Sequence, residues 1–518
     1  MSRLRLAAFI VASVMVTVGV ALHLPDVAML IDEGAMPGMA MWTPTMLTGM
    51  TLLLVGSVVA TVALFARRTP ATNDAVVSLD AIEHGRLRPI YWVTCFVLVI
   101  ALVIDVMKPL TVGFVMAGMG EEYGIPLESV SALALVALTG TAVGSVVWGM
   151  LGDRYGRRPA FLLATVLFLS TSACGAMPSF GWNLVMCFVM GASAGGLLPL
   201  AFTLIAELAP RRHRGWMAVT VGGIGGLGGY LAASAAAHYL EPTYTWRSLF
   251  LIGLPTGLLL LGLMPLIPES PLFLLRHGQR EEAERILDRY GSRLGDVTPT
   301  VPELGRRPGV RALLRRYPAM TAVIGAVGIA WGLVNFGFLV MLPSQLHQAG
   351  MSTGVASGLL ARSALYSAPA LLLVVVLYAW WSGRRSLILF VTAIGVALGG
   401  VAMWSLWGTG HLVLLLSVGT LVLALSAVNA MLLPYSAEIY PTALRATGSG
   451  FAAAATKAGG VAGPFVMLLM LRFTTGVWVI VLSAAVLAAL SLVAALLMLR
   501  YGAEVARAKP SPATTNVP

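Results

Sequence analysis

The sequence predicts an all-α membrane protein of fourteen spans, two six-helix bundles with an extra two-helix hairpin at the N-terminus. Three observations carry this expectation. The 518 residues are 58% hydrophobic and only 11% charged, whereas an ordinary soluble domain carries about 25% charged residues. Uncharged runs long enough to cross a bilayer as helix, about 20 residues each, follow one another along the chain. Finally, the pattern Glu-x-x-Pro-x-x-x-Arg occurs twice, at Glu207–Pro210–Arg214 and Glu438–Pro441–Arg445. Each copy follows such a run, which points to two halves built from one unit.

Taken in order, 1–70 holds the hairpin, with spans at 6–25 and 44–66 joined by a segment without Lys or Arg. Arg3 and Arg5 before an apolar core also suit a signal peptide, but no small-residue cleavage site follows and a second span does. A polar linker, 71–90, carries Arg86 and Arg88. Twelve spans then start near residues 91, 129, 159, 183, 216, 247, 318, 354, 386, 412, 447 and 474. The first six make a bundle over 91–268 and the last six a bundle over 317–500. Between them, the loop 269–316 contains Gln279–Tyr290, whose mixed charges read as a solvated amphipathic helix. Residues 501–518 read as a disordered tail.

Charge distribution fixes the expected orientation. The net charge is +11, yet the basic residues sit in short segments between apolar runs, which is the positive-inside bias and not a nucleic-acid surface. With both termini cytoplasmic, only Arg247 and Arg472 fall at outer ends, and Lys108, Arg362 and Lys457 fall within spans. An inner-membrane location follows. Cys95, Cys174 and Cys187 all lie in apolar runs and form neither a disulfide framework nor a metal spacing. No metal or cofactor is expected, and no nucleophile–base constellation marks an enzyme.

Four segments resemble the major facilitator superfamily over roughly 91–500. Gly149-Met-Leu-Gly152-Asp153-Arg154-Tyr155-Gly156-Arg157-Arg158 is similar to the loop between family helices 2 and 3. The stretch from Glu207 to Gly215 is similar to the end of helix 4, and Pro268-Glu269-Ser270-Pro271 to the motif after helix 6. Tyr435 to Gly448 is similar to the end of helix 10. The branch resembled contains sugar porters, organic-ion transporters and aromatic-acid/proton symporters. This chain departs from it at Cys187 and Leu272, where an Arg is usual, and at Gly383-Arg384-Arg385, which lacks its Asp. The resemblance implies alternating access by a monomeric transport unit. It assigns gating to Asp153, Arg157, Glu207, Arg214, Glu438 and Arg445, as a network that holds the halves together on the cytoplasmic side.

The charges inside the spans carry the expected chemistry. Only three of the 33 basic residues are lysines, and Lys108 and Lys457 are two of them. At 1.5 Å per residue, Asp105, Lys457 and Arg362 lie roughly 21, 15 and 12 Å into a core about 30 Å thick. Asp105 is the acid in the middle of a span, hence the proton-coupling candidate. Lys108, one turn on, shares its face in this reading. If Asp105 offsets one of the three cations, the remaining positive charge favours an anionic substrate. Lys457-Ala458-Gly459-Gly460 is similar to the segment where organic-anion carriers place a basic residue. Trp331, Asn335, Tyr366 and Asn429 complete the expected substrate set. The expected function is proton-coupled uptake of a small organic anion of the carboxylate or aromatic-acid type. Alternatives are a proton-driven exporter of amphiphilic compounds, a sugar or polyol porter, and a non-transporting membrane sensor.

Overall fold

The computed structural model describes residues 3–32, 43–65, 82–84, 87–210, 212–294, 310–408, 410–440, 444–474 and 476–507. Backbone amides and carbonyls find no partners in hydrocarbon, so apolar runs close their hydrogen bonds within helices. Among the described residues, thirteen helices are long and apolar enough to cross a bilayer, and a pair bent by 45° brings the number to fourteen where it is counted as one span. The protein is therefore a multi-pass membrane protein.

The hairpin consists of α1 (Arg3–Ala21), the short α2 (Leu24–Asp32) and α3 (Pro44–Phe65). Gly19, Gly49 and Gly56 leave no room for a Cβ where α1 meets α3, which lets the two backbones approach closely. His23 is fully buried at this contact and donates through Nδ1 to the Gly19 carbonyl at 2.7 Å.

The first bundle follows. Its members are α4 (Pro89–Tyr123), the single turn α5 (Leu127–Val130), α6 (Ala132–Tyr155), α7 (Arg157–Ser170), α8 (Phe180–Ala194), α9 (Leu197–Leu208), α10 (Arg214–Tyr244), α11 (Ser248–Leu251) and α12 (Gly253–Leu263). Pro89 opens α4 at its first turn, where a missing N–H costs nothing, and Gly124 ends it in the left-handed conformation at φ 62°. Helices α8 and α9 form one crossing interrupted at Gly195-Gly196. The hairpin packs against α7.

The connecting loop contains α13 (Pro271–Arg276), α14 (Arg280–Arg289) and α15 (Val310–Arg316). The expected amphipathic helix is thus present. Two short strands were not expected: β1 (Ile82–His84), from the linker, pairs antiparallel with β2 (Ser292–Leu294). Arg88 reinforces this ribbon by donating to the Asp288 carbonyl at 2.6 Å, and Tyr290 stacks edge-on against Tyr91. The loop is thereby tied to the first bundle.

The second bundle comprises α16 (Pro318–Gly332), a π-helical turn over Leu333–Leu339, α17 (Val340–Gln348), α18 (Thr353–Ser367), α19 (Ala370–Val376), α20 (Gly383–Trp407), α21 (Gly410–Ile439), α22 (Arg445–Phe473) and α23 (Val477–Arg507). The 45° bend separates α18 from α19 at Ala368-Pro369, because proline removes a backbone donor and displaces the preceding turn. Helix α23 continues to Arg507, so the start of the expected disordered tail is helical; 508–518 lie outside the described residues.

The two bundles meet face to face. Helix α10 packs along α4 on one side and along α18 and α21 on the other, while α6 meets α22. At the end away from the basic loops, α4 and α17 touch backbone to backbone: a Cβ on Gly113 would overlap the Val340 carbonyl. Ser344 donates to the Gly113 carbonyl at 3.0 Å, and His347 Nε2 lies 3.1 Å from Glu121 Oε1. Nearby, His238 of α10 donates to the Gly354 carbonyl at 2.8 Å. That end of the interface is closed.

Candidate functional site

Between the bundles lies a cavity of about 110 Å³. Asp105 reaches it from α4, Tyr230 from α10, Trp331 and Asn335 from the crossing that begins with α16, Asn429 from α21 and Lys457 from α22. Both halves therefore contribute polar groups to one space. The sequence reading named every one of these except Tyr230.

Asp105 is 6% exposed and its Oδ1 has no hydrogen-bond partner. Leu198 and Pro199, at the start of α9, line the cavity with it. Leu198 sits in the first turn of α9, whose amides are left free by the interruption at Gly195-Gly196. The positive end of a broken helix thus lies on the cavity wall with the carboxylate. Lys457 provides the facing charge from the opposite bundle. Trp331 donates its indole N–H to the Leu425 carbonyl at 2.8 Å and stacks edge-on against Phe336. The π turn beginning at Leu333 widens the helix there and brings Asn335 and Phe336 onto the cavity wall. Tyr230 is 2% exposed and its hydroxyl has no partner.

Three expected substrate residues lie elsewhere. Lys108 does not line the cavity: it is fully buried within the first bundle and donates to the Phe250 carbonyl at 3.2 Å. Its ammonium stands 4.9 Å from the Phe168 ring and neighbours Cys174 and Cys187. Three helical steps rotate a side chain by about 300°, and the remaining 60° carries Lys108 from the interface into the bundle interior. Arg362 is exposed on the perimeter of α18, as is Tyr366 at 66%. The two cations counted as excess in the cavity are thus outside it, leaving Asp105 and Lys457 as a matched pair.

Among the gating residues, Arg157 makes its ion pairs within one half. Arg157 bonds Asp153 at 2.6 Å and Glu207 at 3.2 Å, so one guanidinium joins α6, α7 and α9 within the first bundle. Glu269 Oε1 accepts from the Arg157 amide at 2.7 Å and caps α7. Burial pushes its carboxyl up to about 7, against the lowering effect of amide bonds from Ser270, Arg157 and Arg158. Arg214 donates to the Ala209 carbonyl at 2.6 Å, and Glu438 accepts from the Tyr378 hydroxyl at 2.9 Å. Pro441 and the side chain of Arg445 lie outside the described residues. The bonds of Arg157 therefore brace one half and do not bridge the two.

A family model described as Major Facilitator Superfamily matches residues 97–464. The chain belongs to that superfamily. It is a membrane transport protein and not an enzyme. Among curated relatives, a niacin transporter, NiaP, of Acinetobacter baylyi is 24% identical over 404 residues, covering 76% of this chain and 90% of that protein. A gallate transporter of Pseudomonas putida is 28% identical over 419 residues, covering 77% and 89% respectively. A partially occluded inward-open structure of the xylose transporter XylE from E. coli matches with a TM-score of 0.63. It shares 19% identity over 79% of this chain and 97% of that one, which speaks for the fold alone.

Proposed function

We propose that this transporter takes up a monocyclic aromatic carboxylate together with a proton, by alternating access across the inner membrane. One observation carries the reading: Asp105 and Lys457 face one cavity from opposite halves. Four occupancy states follow from their charges. The empty cavity, with Asp105 ionised and Lys457 protonated, sums to zero. Adding a carboxylate alone gives −1, and adding a proton alone gives +1. Adding both restores zero. An uncompensated charge at the bilayer centre costs about 2.5–3.5 kcal/mol, so the doubly loaded and empty forms reorient while the singly loaded forms are held back. That selection is symport.

The chemistry of each step lies in these side chains. A proton on Asp105 releases the Lys457 ammonium to bind carboxylate. Trp331 and Phe336 offer ring faces to an aromatic substrate, and the Tyr230 hydroxyl and two asparagine amides offer hydrogen bonds. Size agrees: an apolar cavity of about 150 Å³ accepts benzene, and this one is of the same order. The niacin and gallate transporters above carry single-ring acids by name. The basic loops place their face, and both termini, in the cytoplasm under the positive-inside rule. The closed end then faces outward. The transport unit is a monomer, since one chain supplies both halves of the cavity.

The test is uptake of radiolabelled nicotinate, gallate and benzoate by proteoliposomes with an imposed pH gradient, acid outside. Accumulation of at least one acid that collapses with a protonophore is expected. Uptake indifferent to the gradient removes the coupling, and uptake of none removes the substrate class.

A further inference from the structure

The central cavity has a neighbour that its chemistry leaves unused. Along the seam between α6 and α22 runs a groove of about 810 Å³. It shares Ser145, Pro199, Ala453 and Lys457 with the central cavity, so the two spaces adjoin at these side chains. Away from Lys457 its wall is apolar, built from Leu135, Ala142, Val146, Val461, Ala462 and Phe465. Val146 and Phe465 are 62% and 60% exposed, so the groove opens at the perimeter of the molecule, where the acyl chains of the bilayer lie.

We propose that the groove receives an apolar tail of the carboxylate substrate, making the preferred cargo an amphipathic acid with its head at Lys457 and its substituent between α6 and α22. This rests on the carboxylate reading of the central cavity. The charge of Lys457 selects the occupant. A membrane phospholipid keeps its phosphate at the bilayer surface and cannot bring it to a lysine roughly 15 Å deep, whereas a free carboxylate brings its own charge to that depth. From Lys457 to Phe465 the groove extends eight residues of helix, about 12 Å at 1.5 Å per residue. A carboxylate held at Lys457, with its ring and a linear 4-substituent running from there along α22, fits this path. Small residues do the shaping: Ala142 and Ala462 keep opposite walls low, and a larger side chain at either fills the groove without entering the central cavity.

The test is competition against uptake of radiolabelled benzoate in proteoliposomes by a series running from 4-methyl- to 4-hexylbenzoate. In the wild type, each added methylene lowers the half-inhibitory concentration roughly three- to fourfold until the groove is full. Ala462→Phe and, separately, Ala142→Phe flatten the series while unlabelled benzoate competes as before. A flat series in the wild type overturns the proposal. So does a slope that survives in both variants, since the gain then reflects partition into the bilayer. Absence of any aromatic acid uptake defeats the parent reading, and this one with it.

Discussion

At the scale of single residues, the position of each buried charge decides its effect. Lys457 faces Asp105 across the cavity, while Lys108 is held inside the first bundle by the Phe250 carbonyl and the Phe168 ring. The two lysines should therefore separate cleanly. Lys457→Ala should weaken substrate binding by a factor of roughly 30 or more, as expected when one partner of a buried charge pair is truncated. Lys108→Met should leave affinity within roughly twofold and alter thermal stability instead. Isothermal titration with whichever acid is transported, beside a melting curve for each variant, distinguishes them. Equal losses of affinity would return Lys108 to the substrate path.

The sequence made part of this site legible. Asp105 and Lys457 stand out because an ionised group inside an apolar run has a high cost and must face protein or cavity. Depth along a helix can be counted, and Asp105 and Lys457 both line the cavity between the bundles. Azimuth cannot be counted so easily. Lys108 follows Asp105 by three residues, and whether 60° leaves it in the cavity depends on which helices surround α4. Arg362 reaches mid-depth as well, yet it sits on the perimeter of α18. Tyr230 escaped notice because a single phenol among the glycines and alanines of α10 carries no pattern.

At the scale of elements, breaks in regular helix shape the cavity. The interruption between α8 and α9 puts the first turn of α9 on the cavity wall with Asp105, and the π turn brings Asn335 there. Glycine pairs and proline signalled some of these breaks. The π turn and the three-residue ribbon of β1 and β2 left no periodic trace, being shorter than one reading window. Cap chemistry at α7 gives a pH signature. Burial raises the Glu269 carboxyl from 4.5 to about 7, so the folded state holds that proton more tightly than the unfolded chain. The stabilisation is fully present below about 4.5 and disappears as pH rises through about 7. Wild-type melting temperature should fall by a few degrees between pH 5 and pH 8, and Glu269→Gln should flatten that segment of the curve. An unchanged slope in the variant would assign the pH dependence to another group.

At the scale of the whole molecule, transport requires the α4–α17 contact to open. Gly113 permits that contact because a Cβ would collide with the Val340 carbonyl, a backbone atom that cannot rotate away. Gly113→Val should therefore favour the form in which this end is open. Ser344 is buried at the same contact, 2% exposed. A cysteine there, Ser344→Cys, should react slowly with an impermeant maleimide in the otherwise unaltered chain. Adding Gly113→Val should speed labelling roughly tenfold, a shift of about 1.4 kcal/mol in the equilibrium. Equal rates would mean that the closed contact survives the extra side chain.

Both bundles depend on one exchange: Asp105 takes a proton as Lys457 takes the carboxylate. Proton uptake on substrate binding reads this directly, using purified protein in weakly buffered solution with a pH indicator. About one proton should be absorbed per substrate bound by the wild type, and none by Asp105→Asn. Binding without proton uptake in the wild type, or undiminished uptake in the variant, would contradict the account.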